Sequence, residues 1–343
     1  MTHRNIIDRI SPLWLGLGIS GSLLLILFVS ETLQGRWAKM MTGGEFDVLA
    51  NVSTGELRDL RIAIVTCLVV GYLPAAFLYV MQSGRRTIFV LQKALDCTLQ
   101  ECESLAESIR LSTGWLLIIG VFAFALSLTT PYIVPPVPQA PWNPSNWSAE
   151  VVWHRILSPI AMVLSWWLGY AIVMVSVRMS RIATRLNQIN LFDLSPLAPF
   201  TQQGLTNALL LIGSLSIWSL TLIETGFGKM MWIISGATLV TTVLAMLAPV
   251  QGVHKRILQS KQEEIEWLDD EISKLRNSLQ EPDISGQSGR MADLVAYRDL
   301  VDGVAEWPFT PSTYVRLALY ALLPIITWGI GLVAEAVVSH TFF

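Results

Sequence analysis

Seven apolar blocks constrain this chain more than any other feature. They run roughly from Pro12 to Val29, Ile62 to Met81, Thr113 to Ile133, Ile156 to Val177, Leu205 to Leu222, Met231 to Val250 and Tyr314 to Val338. A bilayer core takes about 20 helical residues to cross, and each block is near that length. In lipid the backbone has to satisfy its own hydrogen bonds, and a helix does so within one segment. The expected fold class is therefore all-α, a polytopic membrane protein with about seven transmembrane helices. Composition agrees: 52% of the 343 residues are apolar and 14% are charged, too apolar a balance for a water-soluble chain.

Lys and Arg set the expected orientation. With the N-terminus inside and the C-terminus outside, the inner segments hold 17 of the 23 basic residues, including Arg85, Arg86, Arg178, Arg181, Arg185, Lys255 and Arg256 at span ends. Trp14, Trp115, Trp153 and Trp232 near block ends fit an interfacial belt. The short polar start is followed by no small-residue cleavage site, only "VSETLQGRW", so the first block reads as a retained span.

The chain divides into three regions on this reading. Residues 1–250 hold spans one to six, with an inner amphipathic segment at 85–110 and outer loops at 30–61 and 134–153. Residues 251–312 form a cytoplasmic, coiled-coil-like hairpin. Residues 313–343 form span seven. The outer loop 30–61 has room for a small helix. The outer stretch "PYIVPPVPQAPWNPSNWS" is proline-rich and reads as a stiff, irregular cap. Along 85–110, Ile88, Leu91, Leu95, Thr98, Cys102, Leu105 and Ile109 recur at helical spacing. No residues are left for a long excursion, so the segment either lies on the membrane surface, the preferred reading, or folds as a short hairpin near Cys97 to Gln100.

After span six, Leu258, Ile265, Ile272 and Leu279 fall on one heptad position, and Lys261, Leu268 and Leu275 on the other. That is a coiled-coil seam with one polar interruption. Read together, span six and the seam make one helix of about 45 residues, about 65 Å long. "PDISGQSG" ends it, and a return helix follows with Leu294, Tyr297, Val301 and Val304 on one face. The seam pairs with that return helix or with a second subunit.

Catalytic constellations are not recognisable. There is no phosphate-binding glycine loop and no His-Glu-x-x-His. His3, His154, His254 and His340 are scattered along the chain. Cys67, Cys97 and Cys102 do not suggest a disulfide framework. Neither an enzyme nor a cofactor or metal is expected. A net charge of −3 without a basic patch argues against a nucleic-acid partner. The expected partners are the lipid bilayer, further copies of the chain, and a cytoplasmic protein reached through the coil.

Span seven is the least ordinary block. Pro308 and Pro311 turn the chain into the membrane, and Ser312 or Thr313 is the expected helix cap. Pro324 removes one helical hydrogen bond and should kink the helix. Thr327, Trp328, Gly329 and Gly331 follow, and small residues either admit a neighbouring backbone or line a wet path. Glu335 near the outer end is either a solvated helix end or a carboxylate facing a vestibule. No charge lies at mid-membrane, which argues against an ion-coupled carrier but not against a pore.

Two stretches carry a resemblance: "INLFDLSPLAPFTQQGLTNALLLIG" and "LVAYRDLVDGVAEWPFTPSTYVRLALYALLPIITWGIGLVAE". In Pro196, Leu197, Pro199, Phe200, Gly204, Trp307, Pro308, Arg316, Tyr320, Pro324, Trp328 and Glu335 the chain resembles uncharacterised multi-pass bacterial membrane proteins. The resemblance implies a bacterial inner (cell) membrane and no particular activity. It departs at "TWGIGLVAE", where a serine before the Trp and an alanine after the second Gly would be usual. The expected topology is also similar to that of insect chemoreceptor channels, whose final span lines the pore, a likeness of layout alone. The functional expectation is a homo-oligomeric ion channel or pore with span seven near the axis. The alternative is a non-conducting sensor or scaffold that recruits a partner through the cytoplasmic coil.

Overall fold

A computed structural model describes residues 10–33, 54–133, 149–186, 189–220, 229–278 and 287–342. The described residues are mostly helical, with no strand among them. In chain order the helices are α1 (Pro12–Leu33), α2 (Thr54–Val90), α3 (Gln92–Leu95), α4 (Leu99–Ser108), α5 (Thr113–Ile133), α6 (Ala149–Ala183), α7 (Ala198–Ser219), α8 (Lys229–Leu247), α9 (Gln251–Ser278), α10 (Gln287–Asp302) and α11 (Pro311–Phe342). The expected small helix after residue 33 and the proline-rich cap fall mostly on 34–53 and 134–148, outside the described residues.

Among the described residues five stretches are long and apolar enough to cross a membrane: Pro12–Leu33, Arg61–Val90, Leu99–Leu128, Ile156–Ala183 and Pro311–Gly331. A sixth is reached if the bent pair Gly236–Leu247 and Gln251–Asn277 is one span. The expected block at Leu205–Leu222 lies mostly in α7, which falls short in apolarity. The cause is visible in its residues: Gln203, Asn207, Ser216 and Ser219 all sit on it, and all are buried in protein. Protein, not lipid, surrounds this helix. It packs against α2, α8 and α11.

Burial separates centre from edge. Half of the best apolar stretch of α2 is buried in protein, against 6% for α1 and none for α11. The core runs through α2, α6 and α7, with Val65, Leu73, Ile88, Leu168, Ile172, Met179 and Phe200 almost fully buried. Outward faces stay apolar: Leu17 and Leu25 on α1, Leu117 and Val121 on α5, and Ile325 and Ile330 on α11 are exposed. Apolar surface of this extent is what lipid covers. Tertiary hydrogen bonds tie the bundle inside this coat. The Tyr72 hydroxyl donates to the Leu210 carbonyl at 2.8 Å, and the Trp167 indole donates to the Leu116 carbonyl at 2.8 Å.

Three local expectations need correction. First, α8 and α9 are not one straight helix. They break at 248–250 with a bend of 47°. Pro249 sits in the break and cannot continue the hydrogen-bond ladder. Second, the segment 85–110 folds as the short hairpin, not as one surface helix. α2 runs on to Val90, α3 is a single turn, and Asp96 takes a left-handed conformation (φ 49°) that reverses the chain. Thr98 then caps α4 in a reciprocal capping box with Glu101. Cys97 and Cys102 are joined as a disulfide across this turn, where the sequence suggested no disulfide framework. Third, α11 begins at Pro311, so Thr310, not Ser312 or Thr313, holds the capping position. Its hydroxyl lies 2.7 Å from that of Ser312 and 3.1 Å from that of Thr313.

Candidate functional site

The residues singled out by sequence form two separate places, the α9–α10 arm and the α7–α11 contact. A third, a polar chain in the bundle core, went unnoticed.

In the arm, α10 runs back antiparallel along α9. Arg298 reaches Asp269 at 2.7 Å, Arg290 reaches Glu271 at 3.2 Å, and the Tyr297 hydroxyl donates to Glu264 at 3.1 Å. Leu268 and Leu275 are buried, Ile265 and Ile272 are half-buried, and Leu258 lies at the exposed edge. Leu279 lies outside the described residues. Val301 is fully buried, and Leu294, Tyr297 and Val304 pack beside it. The seam is therefore covered from within the chain on its Leu268 side. Lys261, the polar interruption, is 11% exposed. Its ammonium donates to the Asp302 carbonyl at 2.6 Å and lies 3.8 Å from the Asp302 carboxylate. It satisfies the C-terminal end of α10, where carbonyls are otherwise orphaned and positive charge is favoured.

A clamp seats the arm on the bundle. His254 stacks on Trp307 with ring centres 4.0 Å apart, Trp307 stacks on Phe309 at 5.6 Å, and Phe309 meets Tyr314 edge-on at 5.9 Å. The Thr201 hydroxyl of α7 donates to the Pro308 carbonyl at 3.1 Å, and the Arg256 guanidinium donates to the Leu186 carbonyl at 2.9 Å. Two glycines allow the backbones to touch here. A Cβ at Gly252 would overlap the Ser180 carbonyl of α6, and one at Gly204 would overlap the Met246 carbonyl of α8. Across this contact Phe309, Leu317 and Tyr320 pack on Leu205 and Ala208 of α7 and Met246 of α8.

On α11, Leu317, Tyr320, Leu323, Pro324, Thr327, Trp328, Gly329 and Gly331 are half-buried and Thr313 is buried, and α7 is the helix packed against α11. The Ser219 hydroxyl shares its proton between the Ser216 carbonyl at 2.7 Å and the Pro324 carbonyl at 3.2 Å, and Thr327 donates to the Leu323 carbonyl of its own helix at 2.8 Å. Gly329 differs: nothing lies within 4 Å of where its Cβ would be. Glu335 lies on α11, but its side chain lies outside the described residues.

The polar chain crosses three helices. Ser83 of α2 donates to the Gln203 carbonyl oxygen at 2.8 Å, and Thr87 does so at 3.4 Å. The Gln203 amide donates to Asn207 at 3.0 Å, and the Asn207 amide donates to Ser176 of α6 at 2.9 Å. Gln203, Asn207 and Ser176 are at most 1% exposed. Partnered buried amides of this kind fix one register between helices, because any other leaves donors unpaired. Its Ser83 and Thr87 end borders a cleft lined by Tyr79, Gln82, Ser83, Arg86, Thr87, Val90, Pro199 and Gln202. The sequence held a signal for it: Gln203 and Asn207 stand one helical turn apart, just before and just inside the apolar block that begins at Leu205.

Among the described residues no group of three or more metal-ligating side chains converges. No family model, curated protein or solved structure matches the chain. The site rests on its own geometry: a helical membrane bundle, an arm clamped to it, and a polar core with an open cleft.

Proposed function

We propose that the chain is a membrane-embedded, non-conducting scaffold that crosses the bilayer seven times and presents the α9–α10 arm to the cytoplasm of a bacterial cell. α7 is the seventh crossing on this reading, shielded by its neighbours and so free to carry amides. Arg61 and Arg85 bracket about 36 Å of α2 at 1.5 Å per residue, close to a bilayer core plus its interfaces. The observation that carries the scaffold reading is the use made of span seven. Its face through Leu317, Tyr320 and Pro324 rests against α7, and the chain just before it is joined to the arm by the stacking of Trp307 on His254. A helix held this way transmits position to the arm.

The arm has a face for a partner. Glu263, Glu266, Trp267 and Asp270 form one exposed stripe of α9, with Trp267 53% exposed. An exposed Trp ringed by carboxylates suits a basic segment with an apolar anchor. The test is a photo-crosslinking residue at position 267 in intact membranes. A discrete adduct that is absent with the crosslinker at Ser273 is expected. No adduct at 267, with conductance from the reconstituted protein, would overturn the reading.

A second reading, a homo-oligomeric pore, has one observation in its favour. α11 exposes Val315, Leu319, Leu322, Ile326, Ile330 and Val333 along its length, with open space at Gly329. A second copy of the helix fits against that stripe as lipid does. Subunit number in detergent, together with bilayer recordings, separates the two.

A further inference from the structure

The cleft at the inner end of α2 has a definite chemistry. Tyr79, Ser83, Arg86 and Val90 follow one another at steps of four, three and four residues, so they share one face of the helix. Gln202 and Pro199 of α7 close the other side, leaving a space of about 200 Å³. That is below the usual range for drug-sized ligands, about 300–1,000 Å³, and suits a lipid headgroup. Tyr79 and Val90 are 44% and 68% exposed, so the cleft opens beside apolar surface.

Its polar groups are directional. Arg86 is exposed and makes no ion pair among the described residues. The hydroxyl protons of Ser83 and Thr87 are spent on Gln203, so these groups turn oxygen lone pairs to the cleft. A cation beside acceptor oxygens selects a ligand with negative charge next to hydroxyl donors. A choline or ethanolamine headgroup brings a second cation against Arg86. A bare phosphate monoester satisfies Arg86 but meets the lone pairs with nothing to donate.

We propose that this cleft binds a phosphodiester headgroup bearing free hydroxyls, of the glycerol or inositol type, with the phosphate on Arg86 and the hydroxyls on Ser83 and Thr87. The acyl chains then lie along the apolar surface past Tyr79 or Val90. Through Ser83 and Thr87 the ligand touches one end of the polar chain that joins α2, α7 and α6. The proposal needs only a bilayer and stands whether the protein is a scaffold or a pore.

The test is native mass spectrometry of the full-length protein in mixed micelles, with phosphatidylglycerol competing against phosphatidylcholine and phosphatidic acid. Retention of phosphatidylglycerol over either competitor by about tenfold is expected, the worth of one charge-assisted contact. Arg86→Gln should abolish the preference over phosphatidylcholine, Arg86→Lys should keep most of it, and Arg181→Gln, at the inner end of α6, should leave it unchanged. Ser83→Ala should narrow the preference over phosphatidic acid. Soluble glycerophosphoglycerol, the same phosphodiester without acyl chains, at millimolar concentration distinguishes the source. Failure to displace the lipid assigns the site to a membrane lipid, and displacement assigns it to a free polyol phosphodiester. Equal retention of phosphatidylglycerol and phosphatidylcholine, or an Arg86→Gln protein that retains phosphatidylglycerol like wild type, would overturn the proposal.

Discussion

At the scale of single residues, polar groups in apolar surroundings carry most of the specificity. Lys261 looks like a flaw in the heptad seam until its partners at Asp302 and Val304 are seen. Lys261→Met would suit the seam yet strand those carbonyls, and should lower stability by about 1–3 kcal/mol in thermal unfolding of the purified protein. An unchanged midpoint would mean that water satisfies the end of α10 equally well. Tyr297 offers a pH test. Burial, and then its bond to Glu264, push its phenol above the ordinary range. The folded state therefore holds the phenolic proton more tightly than the unfolded state. That contribution is intact below about pH 10 and is lost as pH rises through the folded value. Tyr297→Phe should flatten the alkaline fall in arm stability measured by circular dichroism. Legibility at this scale was uneven. Pro311 and its cap could be placed within a residue or two from sequence, because proline fixes its own backbone. The partners of Gln203 and Asn207 could not, because they lie on α2 and α6, far away in the chain.

At the scale of elements, helices are set by composition and their breaks by a few residues. The apolar blocks and the return helix through Leu294, Tyr297 and Val301 follow from periodicity alone. The bend between α8 and α9 was also in view, as Pro249, but a heptad pattern that restarts just beyond it suggested continuity. The hairpin near Cys97 needed Asp96 in a left-handed conformation, which periodicity does not report. The arm yields a discriminating prediction. Leu268→Ala empties a fully buried position and should cost about 2–5 kcal/mol. Ile265→Asp with Ile272→Asp should lower the unfolding temperature but leave subunit number unchanged, since α10 covers the seam from within. Dissociation of an oligomer by that pair in light scattering would instead place the seam between subunits. At the junction, Gly252→Val should unseat α9 from α6, because no side chain fits against the Ser180 carbonyl. Protease sensitivity of the arm in membranes would rise. Resistance equal to wild type would show that α6 gives way instead.

At the scale of the whole molecule, the architecture is a bilayer-facing coat of α1, α5 and α11 around a core of α2, α6 and α7, with the arm clamped beneath. Orientation rests on the distribution of basic residues. An alkaline phosphatase fusion after Phe343 should be active and one near Gly286 inactive, and the reverse would invert the topology. The central claim is that the Thr327 and Gly331 face of α11 packs against α7 and is not a water path. It is tested most directly by thiol accessibility of Thr327→Cys and Gly331→Cys in the assembled, reconstituted protein, with Ser273→Cys on the arm as the exposed reference. A packed face predicts that a membrane-impermeant reagent modifies position 273 within minutes and leaves 327 and 331 unmodified. Rapid modification at 327 and 331, matching that at 273, would contradict the scaffold account and make span seven the wall of a pore.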